Sequence, residues 1–187
     1  MTTEPIRSLA KIKQMHEHLA KGSDRNALLF KLGINSILRV SDMLSLRYCD
    51  IFEPNGTPHK YLTLTEMKTK NSKKIRLNKG TLEALSDFCD KYELEGDDWI
   101  FFSLRNPAKH IDYTVSWKFL TKAAKYCNIP HFGNHSMRKT YASYIYSKTK
   151  DLALLRKMLG HKSSQVTLRY IGVEQTEIDK AYQEFEL

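Results

Sequence analysis

The sequence predicts a fold that is mainly α with a small antiparallel β-sheet (α+β). Apolar residues recur at helical spacing over most of the 187 residues, whereas one stretch near residues 61–78 alternates with period two on either side of a lysine-rich polar turn. Glycines, prolines and capping side chains punctuate the chain at intervals suited to helices of two to four turns.

Over residues 8–20, Leu9, Ile12, Met15 or His16, and Leu19 keep helical spacing, and Gly22 ends the pattern. Ser23 or Asp24 caps a second helix, which carries Leu28, Leu29 and Leu32 and runs to about Ile37. Beyond Arg39, the pair Ser41 and Asp42 caps a short third helix through Leu46, so Arg39 falls at a junction between helices. The stretches YLTLTEMKT and KKIRLN, joined through Asn71 and Ser72, read as a β-hairpin with lysines at its tip. A strand around residues 49–52 would complete the sheet.

A helix over residues 80–92 follows, with Leu82, Leu85 and Phe88 inward; WIFF, residues 99–102, is a short buried strand or extended segment, and a loop with Pro107 comes after it. From Thr114 a helix turns Trp117, Leu120, Ala124 and Cys127 inward and Lys118, Lys122 and Lys125 outward, ending before Pro130. Helical segments over residues 135–147, 152–159 and 164–170 lead to a C-terminal tail helix over 174–187, where Ile178, Tyr182 and Phe185 form a stripe. The length suits one domain, and no internal repeat or low-complexity linker divides it.

With 41% hydrophobic and 27% charged residues, the composition is that of a soluble globular protein. Lysine and arginine number 30 against 21 acidic residues, a net charge of +9 that suits a nucleic-acid partner as well as a merely solvated basic surface. Its distribution favours the polyanion. Lys68, Lys70, Lys73, Lys74, Arg76 and Lys79 crowd one segment, whereas the tail carries Glu174, Glu177, Asp179, Glu184 and Glu186 against Lys180. Cys49, Cys89 and Cys127 are odd in number and widely spaced, and neither a secretory signal nor a membrane-length apolar run is visible. A soluble cytoplasmic protein is expected.

The stretch from Asn134 to Tyr170 carries the chemistry. Asn134 as N-cap places His135 and Arg138 in a first helical turn, on one face, where free N–H groups and the helix dipole favour an anion. An isolated H-x-x-R is weak evidence for this and is better explained by a surface or capping role. Leu154, Leu155, Met158 and Leu159 bury a helix that Gly160 breaks, presenting His161 on a turn, where a lone histidine would cap carbonyls; Tyr170 by itself would be core. Cys127, His131 and His135 are spaced four apart, but Pro130 and Gly133 interrupt any helix that would align them, so no metal and no other cofactor is expected.

Taken together, HSMRKTYASYI and LLRKMLGHKSSQVTLRYIGV resemble the C-terminal signature of the tyrosine recombinases, the phage integrase family: H-x-x-R, then L-G-H, then a tyrosine nine residues after that histidine. GINSILRVSDMLSLRYCDI resembles the family's first arginine box at Arg39, and TEMKTKNSKKIRL resembles the hairpin that supplies its lysine, with Lys68 in that place. The order Arg, Lys, His-x-x-Arg, His, Tyr thus spans residues 39 to 170. One departure is that Ser36, Ile37 and Leu38 stand where the family often has Thr-Gly-Leu.

The resemblance implies a catalytic domain that breaks and rejoins DNA through a 3′-phosphotyrosyl link. Attack on a phosphodiester builds negative charge on the non-bridging oxygens, which planar guanidiniums match with paired hydrogen bonds. Arg39 and Arg138 would be that clamp, Tyr170 the nucleophile, His135 its base, Lys68 the donor to the leaving oxygen and His161 a hydrogen bond to the phosphoryl group. Lys70, Lys73 and Lys74 would contact the DNA backbone. The expected partners are double-stranded DNA and further copies of the chain, as a tetrameric synapse in the family; no membrane is involved. Only about 22 residues precede the second helix, too few for the separate N-terminal core-binding domain most members carry. Two other readings are a catalytically silent DNA-binding regulator of this fold and a type IB topoisomerase-like relaxing enzyme.

Overall fold

Side-chain oxygens start most of the helices. Ser8 accepts from the Lys11 N–H at the head of α1 (Leu9–Gly22), and Ser23 does the same for Asn26 at the head of α2 (Asp24–Gly33). The computed structural model describes residues 3–65, 72–172 and 182–184. Two short helices follow, α3 (Val40–Leu44) and α4 (Tyr48–Ile51), then the antiparallel pair β1 (Leu62–Thr65) and β2 (Ser72–Ile75). Asn78 caps α5 (Lys79–Lys91), and a second pair, β3 (Phe102–Ser103) and β4 (Asn106–His110), leads to α6 (Tyr113–Tyr126). The last described elements are α7 (Asn134–Thr149), α8 (Leu152–Leu159) capped by Asp151, and α9 (Ser164–Ile171) capped by Ser163. The fold is mostly helical with two small antiparallel sheets.

Two apolar clusters hold these elements. The larger joins α1, α2, α3, α5 and α6 around Phe30, Leu32, Met43, Leu85, Ile100, Phe101 and Leu120. The smaller gathers Ile37, Ala142, Leu155, Leu159 and Ile171 and fixes α7, α8 and α9 together. Ile37 connects the second cluster to the chain just before Arg39. The departure at Ser36, Ile37 and Leu38 is therefore absorbed by burial: all three are at most 6% exposed.

Several expectations are corrected. Residues 49–52 are not a strand: the Arg47 N–H donates to the Asp50 carboxylate at 2.8 Å and closes the turn of α4, leaving only Phe52 in a bridge to Pro58. The loop with Pro107 is instead the second hairpin; WIFF is buried as expected at Ile100 and Phe101, with Phe102 in a strand. Helix α2 stops at Gly33 rather than near Ile37, and there the chain passes so close to α7 that a Cβ at residue 33 would lie 2.6 Å from Met137 Sδ. On α6 the buried stripe is Ser116, Leu120, Ala123 and Ala124, so Trp117 is rotated outward and exposed; Ser116 satisfies its hydroxyl by donating to the Tyr113 carbonyl. Leu9 and Leu154, expected inward, are exposed as well. The lysine-bearing tip, 66–71, and nearly all of the expected tail helix lie outside the described residues.

Candidate active site

The second cluster brings four of the expected side chains to one place. Arg138 sits in the first turns of α7, 5% exposed, and donates through Nη2 to the Leu159 carbonyl at 3.0 Å, tying α7 to the end of α8. Gly160 then turns the chain with φ 70° and ψ 33°, the left-handed conformation of a helix C-terminus, and the His161 N–H closes back on the Arg156 carbonyl. This presents the His161 ring to Tyr170 of α9, edge to face, with centroids 5.1 Å apart. The Arg138 guanidinium lies 5.9 Å from the Tyr170 ring centroid. Arg39, the N-cap residue of α3, completes the group; its Nη1 is 3.8 Å from the buried Asp42 carboxylate one turn along.

Electrostatics couple these groups. Burial raises the Tyr170 phenol above its ordinary value, and the charges of Arg138 and Arg39 pull it back. The Tyr170 hydroxyl is buried and has no hydrogen-bond partner among the described residues. The His161 imidazole is held below the usual histidine range, first by burial and then by Arg138, Lys73 and Arg39. Its Nδ1 lies 3.1 Å from the Thr167 hydroxyl, so the ring does not cap the carbonyls of α8.

The other expected residues divide. His135 is exposed on the first turn of α7, whereas Arg138 beside it is buried. The N-cap is Gly133 rather than Asn134, because the Ser136 hydroxyl accepts from the Gly133 N–H and starts the helix one residue earlier; Asn134 is itself in the helix and buried. Lys68 and Lys70 lie outside the described residues. On β2, period-two alternation turns Lys73 to the same side as Ile75, opposite Leu64, and a Cβ at Gly160 would meet the Lys73 ammonium at 3.9 Å. Lys74 faces the other way and is exposed.

Two neighbours were not singled out in the sequence. Thr167, fully buried, bonds His161; its position three residues before Tyr170 on one helix was the available signal. Lys139 places its ammonium 5.3 Å from the Tyr170 ring centroid and donates to the Thr3 carbonyl at 2.7 Å, and burial lowers its pKa from the ordinary value. Among the described residues no three of His, Cys, Asp and Glu come close enough to share a metal ion.

A tyrosine on a short helix, flanked by two arginines from different elements and a histidine after a glycine turn, is the arrangement that the resemblance to the DNA strand transferases of the tyrosine recombinase class implies. The sequence pattern of the phage integrase family matches residues 6–177, and the chain belongs to that family: it is a tyrosine recombinase. It is 35% identical over 184 residues to the probable integrase/recombinase YoeC of Bacillus subtilis (strain 168), covering 97% of this chain and 96% of that one. Among solved structures, XerH recombinase bound to a palindromic difH substrate, a post-cleavage complex, superposes with a TM-score of 0.74 at 18% identity, covering 97% of this chain and 53% of that one. A lambda integrase tetramer bound to a Holliday junction gives a TM-score of 0.69 at 17% identity, covering 91% and 48%. These two likenesses are likenesses of fold. The chain spans about half the length of the curated XerC relatives it matches.

Proposed function

We propose that this chain cuts and rejoins double-stranded DNA at specific sites, with Tyr170 as nucleophile. The observation that carries the assignment is the buried Tyr170 hydroxyl, without a hydrogen-bond partner among the described residues, beside His161 and under the charges of Arg138 and Arg39. Such a group is costly to bury unless a ligand completes it. A phosphodiester does so with its non-bridging oxygens on the guanidiniums and its phosphorus in line with the phenol oxygen.

In the step proposed, the bond between the Tyr170 oxygen and phosphorus forms as the bond from phosphorus to the 5′ oxygen breaks. The phenol proton goes to His135, and the 5′ oxygen takes one from Lys68. Attack by a 5′ hydroxyl on the phosphotyrosyl ester reverses the exchange on a partner strand, so the ester conserves the bond and no nucleotide is consumed. Lys73 contacts the scissile phosphate from β2, whereas Lys70 and Lys74 hold flanking phosphates and carry no sequence information. Strand exchange needs several copies on DNA, and the four protomers of the lambda integrase complex support a tetramer here. The chain acts as a single catalytic domain. Three free thiols support the cytoplasm as its place of action.

The test is Tyr170→Phe on a nicked suicide substrate. The expected outcome is retained DNA binding with no covalent protein–DNA complex. Covalent complex from the variant would move the nucleophile elsewhere.

A further inference from the structure

The ring of His161 meets a buried hydroxyl. Thr167 Oγ1 lies 3.1 Å from His161 Nδ1 and 3.2 Å from the Ser163 carbonyl oxygen, to which it donates along α9. A hydroxyl has one proton. With that proton given to Ser163, Oγ1 meets the imidazole as an acceptor, and Nδ1 must carry the ring's hydrogen. Thr167 is fully buried, so no solvent competes for the contact.

We propose that Thr167 is a positioning residue: it fixes the proton of neutral His161 on Nδ1 and leaves Nε2 bare, so that His161 becomes a donor to the scissile phosphate only by taking a second proton from solvent. The proposal rests on the reading of His161 as a phosphate contact. Among the described residues, the charged and titratable groups acting on the ring are Arg39 at α3, Lys73 on β2, Arg138 on α7 and Tyr170 on α9. Burial, and then the three cations among them, lower the affinity of the ring for a second proton. A phosphodiester oxygen only accepts hydrogen bonds, so it gains nothing from a bare Nε2, and its negative charge draws the second proton onto the ring.

The sign of the pH dependence follows. The folded free protein holds His161 below its ordinary value, and bound phosphate raises it. Between those two values DNA binding takes up one proton, and above the higher one His161 no longer donates, so single-turnover cleavage falls toward about tenfold per pH unit.

The experiment is nitrogen-15 NMR of histidine-labelled full-length protein at a pH where His161 is neutral, with pH profiles of suicide-substrate cleavage, on wild type, Thr167→Val and Thr167→Ser. Wild type and Thr167→Ser should show the hydrogen on Nδ1. Thr167→Val, which keeps the shape and removes the acceptor, should move it to Nε2 and flatten the alkaline fall in cleavage; a merely structural loss would lower the rate equally at every pH. Wild type with the hydrogen on Nε2 overturns the proposal, and so does Nδ1–H in both wild type and Thr167→Val. Undiminished cleavage by His161→Ala would overturn the reading of His161 as a phosphate contact and leave the NMR result standing.

Discussion

Replacing Gly160 by alanine isolates the turn that delivers His161. Its φ of 70° and ψ of 33° lie in the left-handed region, where a Cβ crowds the following carbonyl at a cost of about 1–2 kcal/mol. Sterics add little: the new Cβ would meet the nearest atoms, Nζ and Cε of Lys73, at 3.9 and 4.0 Å, which is ordinary contact. The conformational term therefore stands almost alone, and Gly160→Ala should lower unfolding free energy by about 1–2 kcal/mol, a factor of about 5–30 in the folding equilibrium. Gly160→Asn should recover part of it, since asparagine tolerates this region. Urea denaturation measures the change, with the slope against urea unchanged. If the alanine variant unfolds at the wild-type midpoint, the turn is not the constraint described.

Other outcomes follow from the same geometry. Arg138→Ala should reduce single-turnover cleavage by about 10²–10³-fold while DNA binding falls far less; a loss under about tenfold contradicts the clamp. Leu155→Ala, at a position with no exposure in the cluster beneath the site, should cost about 2–5 kcal/mol in urea unfolding, and a cost near zero would mean the cluster does not hold α7, α8 and α9. Asp24 is held below the usual carboxylate range chiefly by its hydrogen bond from Lys91, so its contribution is complete above the unfolded value and lost as pH falls through the folded one. The stability gap between wild type and Asp24→Asn should accordingly close on acidification, and a gap constant from neutral to strongly acid pH contradicts the assignment.

The site was more legible in the sequence than the elements around it. H-x-x-R, L-G-H and the following tyrosine sit on helices whose glycine stops and capping serines are local signals, so the placing of Arg138, His161 and Tyr170 needed little tertiary information. The misread pieces were settled by long-range contacts. Residues 49–52 have the apolar, β-prone look of a strand, yet Asp50 closes a helical turn against Arg47, and the Tyr48 and Cys49 amides bond the Asp98 and Gly96 carbonyls some fifty residues on. Trp117 faces outward because α6 packs through small Ser116, Ala123 and Ala124, a choice that residue hydrophobicity conceals. Lys73, expected as a DNA-backbone contact, is turned by β-alternation toward Gly160 and His161, which charge alone does not reveal.

The central claim is that Tyr170 becomes bonded to DNA. Protein trapped on a nicked suicide substrate, digested with nuclease and trypsin and read by mass spectrometry, should carry the nucleotide adduct on the peptide containing Tyr170. An adduct on Tyr141, Tyr144 or Tyr146 of α7, or on any other tyrosine, with Tyr170 unmodified, would contradict it.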